Sequence, residues 1–283
     1  MDHRPAGIDH LIIGVRDLEA ARARFARLGF NSTPRGRHVG WGTANYCIMF
    51  EGDYLELLGV VDPSQFTNGL DRLIEQREGL LTIVVASRDA EATQRAWVAA
   101  GVPAEPARAL GRLLEAEDGP VELRFNNVYL PAEASAGLNL FACQHLTPEA
   151  MRRPAWLLHP NGARRIRSCT VAVDDPQPLI ACLRRLFGAG ALTNTDQVTA
   201  VHTGHGIILV APPEDVELMH PLVRLPERVP EPQLAALNLE VADPDRTAAF
   251  LTLQGIAFQR APTGDVLVPP HEAHGVALEL VAR

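Results

Sequence analysis

The chain has 283 residues, with 47% hydrophobic and 21% charged, the balance of a folded globular protein with enough sequence for two domains. Its formal charge of −8 excludes a general nucleic-acid or anionic-membrane surface, which needs clustered positive charge. All 26 basic residues are arginine, which also excludes Schiff-base lysine chemistry and a P-loop lysine.

The first predicted strand lies in GIDHLIIGVRD, residues 7–17, with His10, Ile12 and Gly14 on one face and Leu11, Ile13 and Val15 on the other. Asp17 caps the helix that follows, in which Leu18, Ala21, Phe25 and Leu28 recur at helical spacing before Gly29. Strands are expected near 31–33, over 42–50 and over 53–61. The last sets Tyr54, Glu56 and Leu58 on one face and Leu55 and Leu57 on the other. A glutamate inside an apolar strand needs a partner if it is buried. A connecting helix over 64–78 leads to a second unit, with a strand ending at Asp89, a helix closed by Gly101, and strands near 108–114, 121–130 and 137–143.

Residues 146–165 read as a linker, with Thr147-Pro148-Glu149 suited to a helix start and His159-Pro160-Asn161-Gly162 to a turn. A third unit opens with RSCTVAVDD, and strands are expected over 198–203 and 206–211. A proline-rich bridge, 212–232, leads to the fourth unit, LAALNLEVAD and its helix, ending in GVALELVAR. Glycine follows Asp17, Asp89 and Asp243 by 12 residues and Asp175 by 13. Four such phrases at one spacing indicate an internal repeat.

A βαβββ unit repeated in pairs resembles the vicinal oxygen chelate superfamily of glyoxalase I, extradiol dioxygenases and bleomycin-resistance proteins. IDHLIIGVRDLEAARARFARLGF, GWGTANYCIMF and YLELLGV resemble its glyoxalase-like domains in particular. The resemblance implies an α+β fold of four βαβββ modules paired into two glyoxalase-like domains with curved mixed sheets forming half-open barrels. The domains would be 1–145, with modules 7–61 and 79–143, and 166–283, with modules 166–212 and 232–283. It also implies a metal in the hollow, held by the first and last strands of each unit. A divalent Fe, Mn, Ni or Zn ion there would chelate two neighbouring substrate oxygens and stabilise charge on them.

Position by position, His10 and Glu56 match the ligand places, with Glu56 also the catalytic candidate, while Thr82 and Asn139 fall at the matching places of the second unit. In the second half Ser168, Ile208 and Ala236 replace ligands and only Glu279 matches, so that half is expected to be degenerate and without metal. A hydrogen-bonded His10–Glu56 pair without metal is the competing reading. His38 or His145 could complete a site, Tyr54 shares a face with Glu56, and Trp41 and Asn45 could line the same hollow. Arg124, sharing a face with Asn126, could hold a substrate carboxylate.

Other groups carry less. His202, His205, His271 and His274 lack an HExxH context, and Cys143 alternates in facing with Gln144. The scattered Cys47, Cys143, Cys169 and Cys182 suit reduced thiols, and the polar start suits a cytoplasmic protein, a monomer or homodimer acting on a small molecule. Two functions stay open: a metal-dependent lyase, isomerase or dioxygenase, and a non-catalytic ligand-binding or drug-sequestering protein.

Overall fold

In the computed structural model, which describes residues 5–283, the chain forms six α-helices and two eight-stranded sheets. The first sheet comprises β1 (Ile8–Gly14), β2 (Gly36–His38), β3 (Thr43–Met49), β4 (Tyr54–Val60), β5 (Gly79–Ala86), β6 (Arg108–Ala116), β7 (Gly119–Tyr129) and β8 (Leu140–His145). Helices α1 (Leu18–Arg27), α2 (Leu70–Gln76) and α3 (Ala90–Ala99) connect them. The second sheet comprises β9 (Ala163–Ala172), β10 (Leu192–Thr195), β11 (Val198–His202), β12 (Ile207–Ala211), β13 (Gln233–Val241), β14 (Gln259–Arg260), β15 (Val266–Val268) and β16 (Ala277–Val281). With it run α4 (Gln177–Phe187), α5 (Pro213–Met219) and α6 (Pro244–Leu253). No helix among the described residues is long and apolar enough to cross a membrane.

The fold is α+β, and the four repeats are visible in its pairing. In each unit the first and last strands lie parallel: β1 with β4, β5 with β8, β9 with β12, and β13 with β16. Asp17, Asp89 and Asp243 each accept from backbone amides at the start of α1, α3 and α6, satisfying donors that the helix leaves orphaned. Asp175 accepts from the amide of Gln177 at the start of α4.

Several elements depart from the sequence reading. The first sheet, ordered β1-β4-β3-β2-β6-β7-β8-β5, is a closed barrel where a half-open one is expected. Three residues of β2 close it by pairing with β3 on one side and β6 on the other. That strand lies at Gly36–His38, not at 31–33, which is irregular. The second sheet, ordered β10-β11-β12-β9-β13-β16-β15-β14, stays open. Within the proline-rich bridge, α5 forms with Pro213 in its first turn, where a missing N–H costs nothing.

Strand alternation decides what is core and what is cavity. Leu11, Ile13, Leu55 and Leu57 leave the barrel outward and join Phe25, Trp97, Cys169, Val171, Leu237 and Leu239 in one apolar layer shared by both sheets. The opposite faces of the same barrel strands point inward.

Candidate functional site

The barrel encloses a cavity of about 350 Å³ whose wall includes His10, Tyr54 and Glu56. The register places His10 beside Tyr54 and Ile12 beside Glu56 on the parallel β1–β4 pair. His10 Nε2 lies 3.3 Å from Glu56 Oε2, and its ring stacks on Tyr54 at 4.2 Å between centroids. Glu56 Oε1 accepts from Asn45 Nδ2 on the adjacent β3 and has His38 Nε2 at 3.9 Å and Arg112 Nη1 at 4.0 Å.

Asp9 is the residue that alternation could not assign to this site. A strand normally sends residues 9 and 10 to opposite faces. Here the β1–β5 register shifts between Ile8 and His10, a bulge that can re-aim a side chain. Asp9 Oδ2 thereby reaches His10 Nδ1 at 2.6 Å and His145 Nε2 at 2.9 Å. A carboxylate on Nδ1 fixes the imidazole's orientation and leaves Nε2 for the cavity.

Burial by itself would raise the Glu56 carboxyl, but the His10 hydrogen bond and the charges of His10, His38 and Arg112 overcome it and hold the acid at about 2. Burial by itself would lower His10; hydrogen bonds to Asp9 and Glu56 reverse that and push it up. His38 is lowered to about 4, first by burial and then by Arg112 and His10, so it is a neutral imidazole at neutral pH. Burial raises the Cys143 thiol well above its ordinary range, which makes it a poor nucleophile.

The other predicted residues divide by face. Thr82, half-buried, and Asn139, exposed, both line the cavity, as do His38 and Trp41. His145 acts from outside the lining, through Asp9. Arg124 is exposed and belongs to the outer face of β7; its neighbours Phe125 and Asn127 point inward instead. The arginine buried on the inward face of the barrel is Arg112 on β6, a position that no motif or clear periodicity in the sequence marks.

The four-histidine cluster disperses. His202 bonds Thr193 Oγ1, His205 bonds Asp53 and His274 lies 3.6 Å from Glu78. In the second sheet Glu279 is bonded to His220 Nδ1 at 2.9 Å, whose Nε2 meets Thr170 Oγ1 at 2.8 Å. Residues of α5 and the following loop, Val216, Val223 and Val229, pack over Ala172, Ala211, Ala236 and Ala277 and fill that face.

The first-sheet site fits a divalent ion. Two adjacent ligands bonded at about 2.1 Å stand roughly 3.0 Å apart at octahedral angles and roughly 3.4 Å at tetrahedral ones, a range that holds the His10–Glu56 spacing of 3.3 Å. One imidazole nitrogen and one carboxylate suit Mn, Fe, Ni or Zn and leave positions open. Among the described residues, three metal-type ligand atoms within 4.8 Å occur at Asp9, Cys143 and His145. There Asp9 is already engaged by His10 and His145, which places this group directly behind the His10 ring.

A family model described as a glyoxalase-like domain matches residues 8–187. A hypothetical protein from Staphylococcus aureus superposes with a TM-score of 0.69 at 12% identity, over 98% of this chain and 99% of that one. A mutant 4-hydroxymandelate synthase from Streptomyces coelicolor gives 0.64 at 13% identity, over 99% and 93%. An Mn(II)-bound glyoxalase from Novosphingobium aromaticivorans gives 0.56 at 12% identity, over 99% and 83%. No curated protein matches the chain in sequence.

Proposed function

Because this chain belongs to the glyoxalase-like domain family of the vicinal oxygen chelate superfamily, we propose that it is a metal-dependent small-molecule enzyme of the lyase, isomerase or dioxygenase kind, working in the barrel cavity. The observation that carries this reading is the convergence of His10 Nε2 and Glu56 Oε2 on the cavity wall, with Asp9 behind His10. His10 and Glu56 would hold the ion, and Thr82 and Asn139 offer neutral oxygens to it or to the substrate. A bound divalent ion would act as a Lewis acid toward two neighbouring substrate oxygens.

The chain's own groups perform the rest. Tyr54 packs on His10 and limits its rotation. Asn45 holds Oε1 of Glu56 and so aims Oε2 toward His10. Glu56, ionised at neutral pH, and His38, a neutral imidazole there, are groups beside His10 in the right state to accept a proton from substrate.

The test is elemental analysis of protein purified without chelator or affinity metal. Near-stoichiometric Mn, Fe, Ni or Zn, lost in His10→Ala and Glu56→Ala, is the expected result. Absence of metal after supplementation with each of the four would sink it. A second reading, a binding protein that uses the cavity without metal, has one observation in its favour: Asn45, His10 and Arg112 already surround Glu56.

A further inference from the structure

We propose that the cavity takes small carboxylic acids with an apolar body, and that Arg112 is the residue that receives their carboxylate. This rests on the barrel cavity being the ligand site, as above, but not on a metal being there.

Arg112 is a buried cation whose ion pair with Glu56 is long, at 4.0 Å, and whose hydrogen bonds go only to sulfur. Its side chain is 3% exposed and lines the cavity. A guanidinium carries five N–H donors in a planar fork. Here Nη1 donates to Cys47 Sγ at 3.2 Å and Nη2 to Met151 Sδ at 3.4 Å. Both are sulfur atoms and weak acceptors. Nε is buried with no partner at all. Glu56 Oε1, at 4.0 Å, is beyond hydrogen-bond distance and already accepts from Asn45.

Such an arrangement is costly for a folded protein to keep, because a buried charge needs both a partner and satisfied donors. Arg108, the other arginine on the cavity wall, differs: Glu105 meets it at 2.7 Å. A ligand carboxylate offers two strong acceptors with the fork's own geometry, which neutral groups and sulfurs do not.

The surroundings set the remainder of the ligand. The guanidinium lies 5.3 Å from the centroid of the Phe125 ring, and Leu58, Leu110, Leu140 and Phe141 share the wall. These surfaces suit a ring or branched chain attached to the acid. Inorganic phosphate offers the charge without that body.

The experiment uses calorimetric titration of the full chain, both chelator-treated and Mn-reconstituted, against phenylacetate, benzoate and 3-phenylpropionate. Each acid is paired with its uncharged amide, and inorganic phosphate is the arm without an apolar body. At least one acid is expected to bind about tenfold or more tightly than its amide, as charge-assisted hydrogen bonds allow, with phosphate weaker. Arg112→Met, checked for folding by circular dichroism, is expected to bring that ratio to near one. Arg112→Lys, which keeps the charge and loses the fork, is expected to retain part of it. No preference for any acid over its amide, or a preference that survives in Arg112→Met, overturns the proposal. An Arg112-dependent preference in a protein that takes up no metal would leave this proposal standing and remove the metal reading. Bound metal with no such preference would do the reverse.

Discussion

His159 shows how completely one buried imidazole can be specified. Its Nδ1 accepts from the backbone amide of Asn31 at 3.1 Å, so the ring proton is on Nε2, which donates to the carbonyl of Met49 at 2.9 Å. The ring also packs edge-on between Phe30 and Phe50. Burial pushes it below its ordinary value of 6.5. The folded state therefore prefers the neutral ring, and its stabilising contribution is complete above pH 6.5 and declines as pH falls below it. His159→Ala is expected to cost about 2 kcal/mol at pH 8, for two buried hydrogen bonds and the lost packing. Urea midpoints of both proteins at pH 8 and pH 5.5 should show the gap narrowing at the lower pH. His10, Tyr54 and Glu56 were legible because alternation in β1 and β4 is clear. Arg112 was not, since β6 and β7 carry polar residues on both faces and periodicity cannot choose between them. Asp9 was hidden by a bulge that no composition signal announces.

Helix ends carry the next level of specification. Gly29 and Gly101 close α1 and α3 in the same place in their repeats, with φ of 86° and 79°. An added Cβ at Gly101 meets nothing within 4 Å, while at Gly29 it comes within 2.9 Å of the backbone nitrogen of Asn161. Gly101→Ala is thus expected to cost about 1 kcal/mol, the strain of a left-handed residue. Gly29→Ala adds a backbone clash and should cost about 3 kcal/mol or more, read from chemical denaturation of the two variants side by side. The Asp–helix–Gly phrase made these helices legible in sequence, because capping and closure are local chemistry. β2 and α5 were not legible for the opposite reason. Three residues of β2 are strand only because β3 and β6 flank them, and α5 is seven residues held by the sheet beneath it.

At the scale of the whole molecule, one acid ties the two sheets. Asp53, at the tight turn between β3 and β4, is fully buried and accepts from the backbone amide of Ile166 at 3.0 Å and from His205 Nε2 at 2.5 Å. Both partners belong to the second half, and the apolar layer is likewise shared. A fragment of residues 1–145 would strand that carboxylate and expose the layer. It is expected to be insoluble or unfolded, while the full chain unfolds in a single transition by fluorescence and circular dichroism alike; an independently folded fragment would contradict this. Length and repeat count made the two-sheet plan legible, but contacts between distant segments leave no periodic mark. The filled face of the second sheet then acquires a meaning of its own. With Glu279 bonded to His220 and four alanines lying under α5 and the loop after it, packing on that face leaves room only for small side chains. Enlarging one of those alanines would press on the valines above it, so this face answers to constraints of size and shape.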